Sequence, residues 1–385
     1  MGRVNASQRL PPAPVRLWRW AVLAVVVAAQ VAFLFYRSKR EEERFAEEKA
    51  KFGETNPPAD HLGERAPAHP GEFVVSRGKA HVVGLATDGA RVYFGESLGG
   101  LGIVAVPVTG GAESTLGSAE LPIAVALGKD VLVVADMGGL TAAEGNTITA
   151  FPLDGSGAPR VLASKVVLPI AVAVSATHAY WVDGGNVDRD NIDGFVARAP
   201  LAGGAHTVLA AGERQPSGIA VDATHVYWAR HDKTGHGEVV RMPVDGGPIE
   251  VVSPGQDRVK RITIVGSDVY WISWNDLSGT RAAVRKAPVR GGPALDVAVA
   301  ETRMCSMVLD GEAVYWSEPG EVIGTEPSTS GRILKKALHG GEPVVLASGQ
   351  DRPCHVAVDA THVYFSTQSL ERVKRTPKTP ASASP

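Results

Sequence analysis

The chain has 385 residues, 39 Lys and Arg against 41 Asp and Glu, and 44% hydrophobic residues. That length admits one large repeat domain with extensions, and the near-neutral charge makes no bulk electrostatic case for nucleic acid, so no nucleic-acid partner is expected. Two cysteines are too few for a disulfide framework or a zinc module, and no cofactor is expected.

The first predicted element is a membrane span. Residues 20–36 carry no charge, and with Leu17 and Trp18 the run approaches the ~20 residues a helix needs to cross a bilayer. Trp18, Trp20 and Tyr36 mark its ends, where amphipathic rings favour the interface. The run meets Arg37-Ser38-Lys39-Arg40, a poor cleavage site, so it is expected to be an uncleaved signal anchor over 17–36 behind a cytoplasmic tail, 1–16. Arg3, Arg9, Arg16 and Arg19 precede the span, while Arg37, Lys39, Arg40 and Arg44 follow it. The short arginine-rich tail favours a cytoplasmic N-terminus, which puts the rest of the chain in the periplasm or outside the cell. Residues 37–71 read as a charged helical stalk and then a Pro-rich linker. Residues 379–385 read as a disordered tail.

Between them, over 72–378, one phrase recurs seven times. Its clearest copy is Ile219-Ala220-Val221-Asp222-Ala223-Thr224-His225-Val226-Tyr227-Trp228. The aromatic slot falls at Tyr93, Leu132, Tyr180, Tyr227, Tyr270, Tyr315 and Tyr364, in steps of 39 to 49 residues. A period in the forties built from short β runs predicts a β-propeller, all-β, with seven four-stranded blades. Six blades is the alternative if the degenerate second copy is not a blade. For the fourth unit the strands a to d are predicted at 218–222, 225–230, 238–244 and 248–253. The repeated aspartate (Asp88, Asp222, Asp310, Asp359) is expected to cap the a–b turn. A Gly pair such as Gly246-Gly247 supplies the c–d hairpin. The aromatic is expected to pack between blades. The last unit, 351–378, lacks strand d. Residues 72–77 are expected to supply it by pairing near 371–376, which removes an exposed sheet edge.

These repeats resemble the YWTD repeats of low-density-lipoprotein-receptor-type propellers, on Tyr180-Trp181-Val182-Asp183, Tyr227-Trp228, Tyr270-Trp271 and Tyr315-Trp316. The resemblance spans roughly 81–375. It implies an extracellular, non-enzymatic propeller that binds a protein partner. Such propellers are usually six-bladed, and neither the full four-letter motif nor their companion cysteine-rich modules occur here.

Strand direction sorts the loops. The a–b and c–d turns lie on one face, and the variable b–c loops and d–a linkers lie on the other. Variable loops on a rigid ring are where binding usually resides. There the linkers are basic in three successive units: Arg258, Lys260 and Arg261, then Arg303, then Arg352 with His355. Asp183, Asp188, Asp190, Asp193, Glu318, Glu321 and Glu326 lie in the surrounding loops. A basic mouth with an acidic rim suits a small anionic ligand or a partner's carboxylate; ordinary solvated linker charge is the plainer reading. Asp188, Asp190 and Asp193 alternate as calcium ligands do, but the sixth-place Gly and the closing Glu are missing. His231 and His236 are too few for zinc. No nucleophile elbow, zinc helix or nucleotide loop occurs, so a binding or scaffold module is expected. A propeller hydrolase or lactonase, or a structural envelope protein without a ligand, is the alternative. Cys305 and Cys354 hold the same slot in consecutive repeats, five residues before an aspartate. They are expected to be neighbours, either bridged or as two free thiols.

Overall fold

Strand b of each repeat carries bulky apolar side chains on both faces, so no single sheet can bury its own, and neighbours must stack. The computed structural model describes residues 71–78, 81–97, 102–138, 145–186, 192–232, 234–274, 281–320, 330–368 and 372–379. Among them, seven four-stranded antiparallel sheets form a seven-bladed β-propeller. Blades I to VI run consecutively over 81–117, 122–164, 169–213, 217–254, 259–300 and 306–350. Blade IV is typical, with strand a at Ser217–Val221, b at His225–His231, c at Gly237–Pro243 and d at Glu250–Pro254. No helix among the described residues is long and apolar enough to cross a membrane. The expected anchor at 17–36 and the stalk lie outside the described residues.

Blade VII is made from both ends of the domain. Its strands Val356–Val358, His362–Ser366 and Val373–Pro377 are completed by Phe73–Ser76. Phe73 pairs with Arg375, Val74 with Lys374 and Ser76 with Val373. The seam carries a polar lock that the repeat pattern did not announce. Arg372, buried, donates to Ser76 at 2.9 Å, to Glu96, and to Glu113 at 2.6 Å, tying blade VII to the N-terminal strand and blade I. On the other side Lys374 bonds Glu72 at 2.8 Å, and Gln350 of blade VI reaches Glu72 at 3.2 Å.

Five of the inter-blade cores take the tyrosine of one blade and the following aromatic of the next. Tyr180 packs with Trp228, Tyr227 with Trp271, Tyr270 with Trp316, Tyr315 with Phe365, and Tyr364 with Phe94. Blade II is out of step with its expected register by one residue. Val133, paired with Ala126, occupies the tyrosine slot, and Leu132 does not. The turn explains this: Gly128 donates to the Val131 carbonyl as Asp222 does to that of His225, so Leu132 corresponds to Val226.

The aspartate does more than cap its turn. Asp222 Oδ1 accepts the backbone amides of Thr224 and His225, both at 2.7 Å, while Oδ2 accepts the Tyr227 hydroxyl at 2.8 Å. The same bond recurs from Tyr93 to Asp88 at 2.7 Å, Tyr315 to Asp310 at 2.8 Å and Tyr364 to Asp359 at 2.5 Å. A buried phenol needs a partner. Blade II, which has Gly128 where the carboxylate would be, has also replaced the tyrosine by Val133. Burial and the Asp222 carboxylate push the Tyr227 hydroxyl up to about 12.

Candidate ligand site at the channel mouth

The inner strands meet around the axis, and their register defines which side chains share a level. Strand a residues paired with the tyrosine slot are Ala86, Ala126, Ala173, Ala220, Thr263, Val308 and Ala357. Two residues before them stand Gly84, Ala124, Ala171, Gly218, Arg261, Ser306 and His355. Five of these are no larger than serine, so the level belongs to Arg261 and His355. Arg261 Nη2 lies 3.4 Å from His355 Nδ1. That contact joins blade V to blade VII and bypasses blade VI, which places both side chains in the central channel.

The backbone at Arg261 is unusual. Strand a of blade V bulges between Lys260 and Ile262, and Arg261 sits there with φ +44°. Blades I and IV bulge at the same level but use glycine, with Gly84 at φ +67° and Gly218 at φ +50°. A left-handed non-glycine residue costs ~1–3 kcal/mol and persists where the surroundings over-determine it. Burial drives the Arg261 guanidinium below its ordinary value, and burial together with the Arg261 charge pushes His355 down to about 3. Both residues keep part of their surface open to water, so they are recessed in the channel and not sealed.

Above this level lies the basic mouth. Arg258, Arg303 and Arg352 occupy one equivalent linker slot in blades V, VI and VII, five residues before the strand a reference positions. Arg258 and Arg352 are left-handed, at φ +42° and +45°. Trp274, at the end of strand b in blade V, gathers two cations. Lys260 Nζ lies 5.5 Å and Arg303 Cζ 5.1 Å from its ring centre, within cation–π range. Trp274 Nε1 donates to the Met304 carbonyl at 3.2 Å, which fixes the ring. Water reaches Lys260, yet the crowded mouth and the like charges of Arg258 and Arg261 hold its ammonium below the usual value. Trp274 lies outside the repeated phrase, so the repeat pattern gives no sign of its role.

Three expectations change once side chains are placed. Arg352 is buried and bonded to Asp351 at 3.3 Å, so it is a paired structural cation. Asp183 is not a rim charge. It is fully buried and accepts the amides of Val167, Leu168 and Gly185, although burial still raises its carboxyl above the ordinary value. Asp136 does the same in blade II for Glu120, Leu121 and Gly138. Glu318 is buried too, and accepts Trp316 Nε1 at 2.9 Å and pairs with Arg332.

Asp188, Asp190, Glu321 and Glu326 lie outside the described residues. Asp193 Oδ1 accepts the Asn186 amide at 2.8 Å, closing its own loop. No group of three or more His, Cys, Asp or Glu gathers as metal ligands among the described residues. His231 and His236 part company: His231 meets Ser217 at 3.0 Å in the interior, and His236 meets Asp257 at 2.5 Å at the surface. Cys305 and Cys354 are joined in a disulfide with Cα atoms 5.0 Å apart, linking blades VI and VII beside His355.

Clefts also open on the opposite face. A cleft of about 250 Å³ is lined by Thr177, His178, Tyr180 and Arg198 near the tight turns of blades III and IV, and its one cation is already paired with Asp245 at 3.0 Å.

Neither a protein-family pattern nor a curated protein sequence matches the chain. Solved structures do. An oligogalacturonate lyase from Vibrio parahaemolyticus is similar with a TM-score of 0.58 at 9% identity, over 81% of this chain and 93% of that one. A second oligogalacturonate lyase, in complex with manganese, gives 0.57 at 11% identity over 78% and 89%. The tricorn protease gives 0.56 at 11% identity, over 81% of this chain and 35% of that one. At these identities the likeness establishes the propeller fold alone.

Proposed function

We propose that the chain is a membrane-anchored, non-enzymatic binding module that takes an anionic ligand, or the carboxylates of a protein partner, on its b–c/d–a face. The carrying observation is a charge imbalance. Lys260, Arg261 and Arg303 stand at the channel mouth, with Arg258 beside them donating to the Thr234 carbonyl at 3.5 Å, and no carboxylate among the described residues pairs with any of the four. The acidic groups nearest in sequence are engaged elsewhere, Asp257 with His236 at 2.5 Å and Glu301 with Arg281 at 3.1 Å, and the loop residues Asp183 and Glu318 are committed to backbone and tryptophan partners. Clefts lined by one sign of charge concentrate the opposite one. The tyrosine–tryptophan repeat, which resembles YWTD-type propellers, supports a binding role. The apolar 17–36 run supports a single-pass anchor with the propeller on the periplasmic or extracellular side.

Titration calorimetry on the full-length protein in neutral detergent tests the binding reading, with oligouronate, polyphosphate and polyglutamate as probes. Binding should weaken steeply with salt and be largely lost when Lys260→Ala and Arg303→Ala are combined. Absence of binding to all three probes, or indifference to both salt and the double variant, overturns it. A reporter fused after Pro385 tests orientation: activity confined to the cytosol removes the exported reading.

A further inference from the structure

We propose that Arg261 and His355 form an oxyanion seat inside the channel, built to hold one carboxylate or phosphate group of a ligand that enters from the b–c/d–a face. The inference rests on the anion-binding reading above and names the group that reaches deepest.

Three observations converge. First, the Arg261 guanidinium is recessed in the channel with no carboxylate partner among the described residues, and its one side-chain hydrogen bond there is a long one to a ring nitrogen. A desolvated cation without a counter-charge is costly unless an anion arrives. Second, the backbone does not ask for arginine there. The same bulge in blades I and IV is filled by Gly84 and Gly218, which take its left-handed φ without strain. Arginine stands there against its conformational preference, a strain that ligand clamps can carry. Third, the contact dictates the histidine tautomer. A guanidinium only donates, so His355 Nδ1 is the acceptor, and the neutral ring carries its proton on Nε2. The pair thus presents a planar fork and an imidazole N–H as donors, with no acceptor competing for the anion. Planar forks match the paired oxygens of carboxylates and phosphates. Gly218 and Ser306, on the two blades beside Arg261, are small enough to leave that level open.

The glycine bulges supply the test. Arg261→Gly installs the residue that two sister blades already use, so the anion-free protein should melt at the same temperature or higher. In wild type, acetate or inorganic phosphate should raise the melting temperature along a saturable curve. In Arg261→Gly that rise should vanish, with apparent affinity weaker by ~10-fold or more. His355→Ala should weaken it less. A response to acetate alone identifies a carboxylate as the ligand group, and a response to phosphate alone identifies a phosphate. A wild type that responds to neither probe overturns the seat, as does an Arg261→Gly variant that responds like wild type. An anion-free Arg261→Gly protein that melts several degrees lower makes Arg261 a structural residue. If the anion response survives Arg261→Gly but falls with Lys260→Ala and Arg303→Ala, the mouth binds anions and the seat does not exist. If the oligomeric probes also fail on wild type, the broader binding reading falls with it.

Discussion

The two faces of the ring treat charge in opposite ways. On the a–b/c–d face, four aspartates each hold two backbone amides and a tyrosine hydroxyl, and Arg198 and Lys286 are paired with Asp245 and Asp268. On the b–c/d–a face, cations crowd the axis without carboxylates, two of them in left-handed backbone, and Trp274 is flanked by a lysine and an arginine. A satisfied polar network rigidifies a fold, whereas an unsatisfied one lowers stability unless something binds. The first face is therefore scaffold, and the second carries, beside structural pairs such as Arg352–Asp351 and Arg332–Glu318, cations that the fold itself does not pair.

The contrast is sharpest where the scaffold is broken outright. Deleting residues 72–77 removes strand d of blade VII together with Glu72 and Ser76, and with them the Lys374–Glu72 pair and the Ser76 bonds to Arg372 and Glu113. The ring then has an open edge and a depleted polar seam. Circular dichroism should show loss of the cooperative melt, and a melting temperature equal to that of the intact chain would show that closure contributes nothing.

Next in size is Tyr227→Ala, which empties the interface between blades IV and V and should cost ~3–5 kcal/mol in denaturant unfolding. Tyr227→Phe keeps the ring and loses only the bond to Asp222, so it should cost ~1–3 kcal/mol. Equal costs would mean that the hydroxyl bond, and not packing, dominates the slot.

Acid titration separates the faces by pH. His355 is held near 3 against an ordinary 6.5. Between those values it binds fewer protons folded than unfolded, so stability falls as pH drops through that window. His231, lowered mainly by burial, acts in the same direction. Asp310 is affected first by burial, which raises it, but Lys378, Tyr315 and two backbone amides outweigh that and hold it at about 2. Its contribution is present above 3.8 and is lost as pH falls through about 2. Melting curves should therefore show an upper limb flattened by His355→Gln and a lower limb flattened by Asp310→Asn. The reverse assignment would break the comparison.

The smallest effect belongs to the mouth. Lys260→Ala should change unfolding free energy by no more than ~0.5 kcal/mol, since its ammonium has no ionic partner to lose. A large loss would place Lys260 with the scaffold.

Much of the scaffold is legible in the amino-acid sequence. Seven repeats, four strands in each, the inter-blade aromatics and the donated strand all follow from period and turn chemistry, and the strands of blade IV fall within two residues of their expected ends. The slip at Leu132 comes from a blade whose defining tyrosine and aspartate are both gone, leaving Val-Leu-Val-Val with no landmark to fix the register. The site is less legible. Arg258, Lys260, Arg261, Arg303, Arg352 and His355 gather on one face by linker position, but their fates differ. Asp183 and Glu318 look like rim charges in sequence because nothing local shows that their partners are amides and an indole.

The sequence by itself determined what is periodic. A blade cannot bury both faces alone, so the recurring tyrosine and tryptophan, the capping aspartates and the missing last strand call for a closed ring, of seven blades if the degenerate second copy counts and six if it does not. Only the tertiary structure decided what breaks the period. Which cations have partners, that Arg261 takes a glycine's backbone, and that it meets His355 two blades away all depend on how strands separated by 94 residues converge on one axis. Local sequence carries no record of that distance, because repeats encode contacts between neighbours, and the channel is where residues that are not neighbours meet.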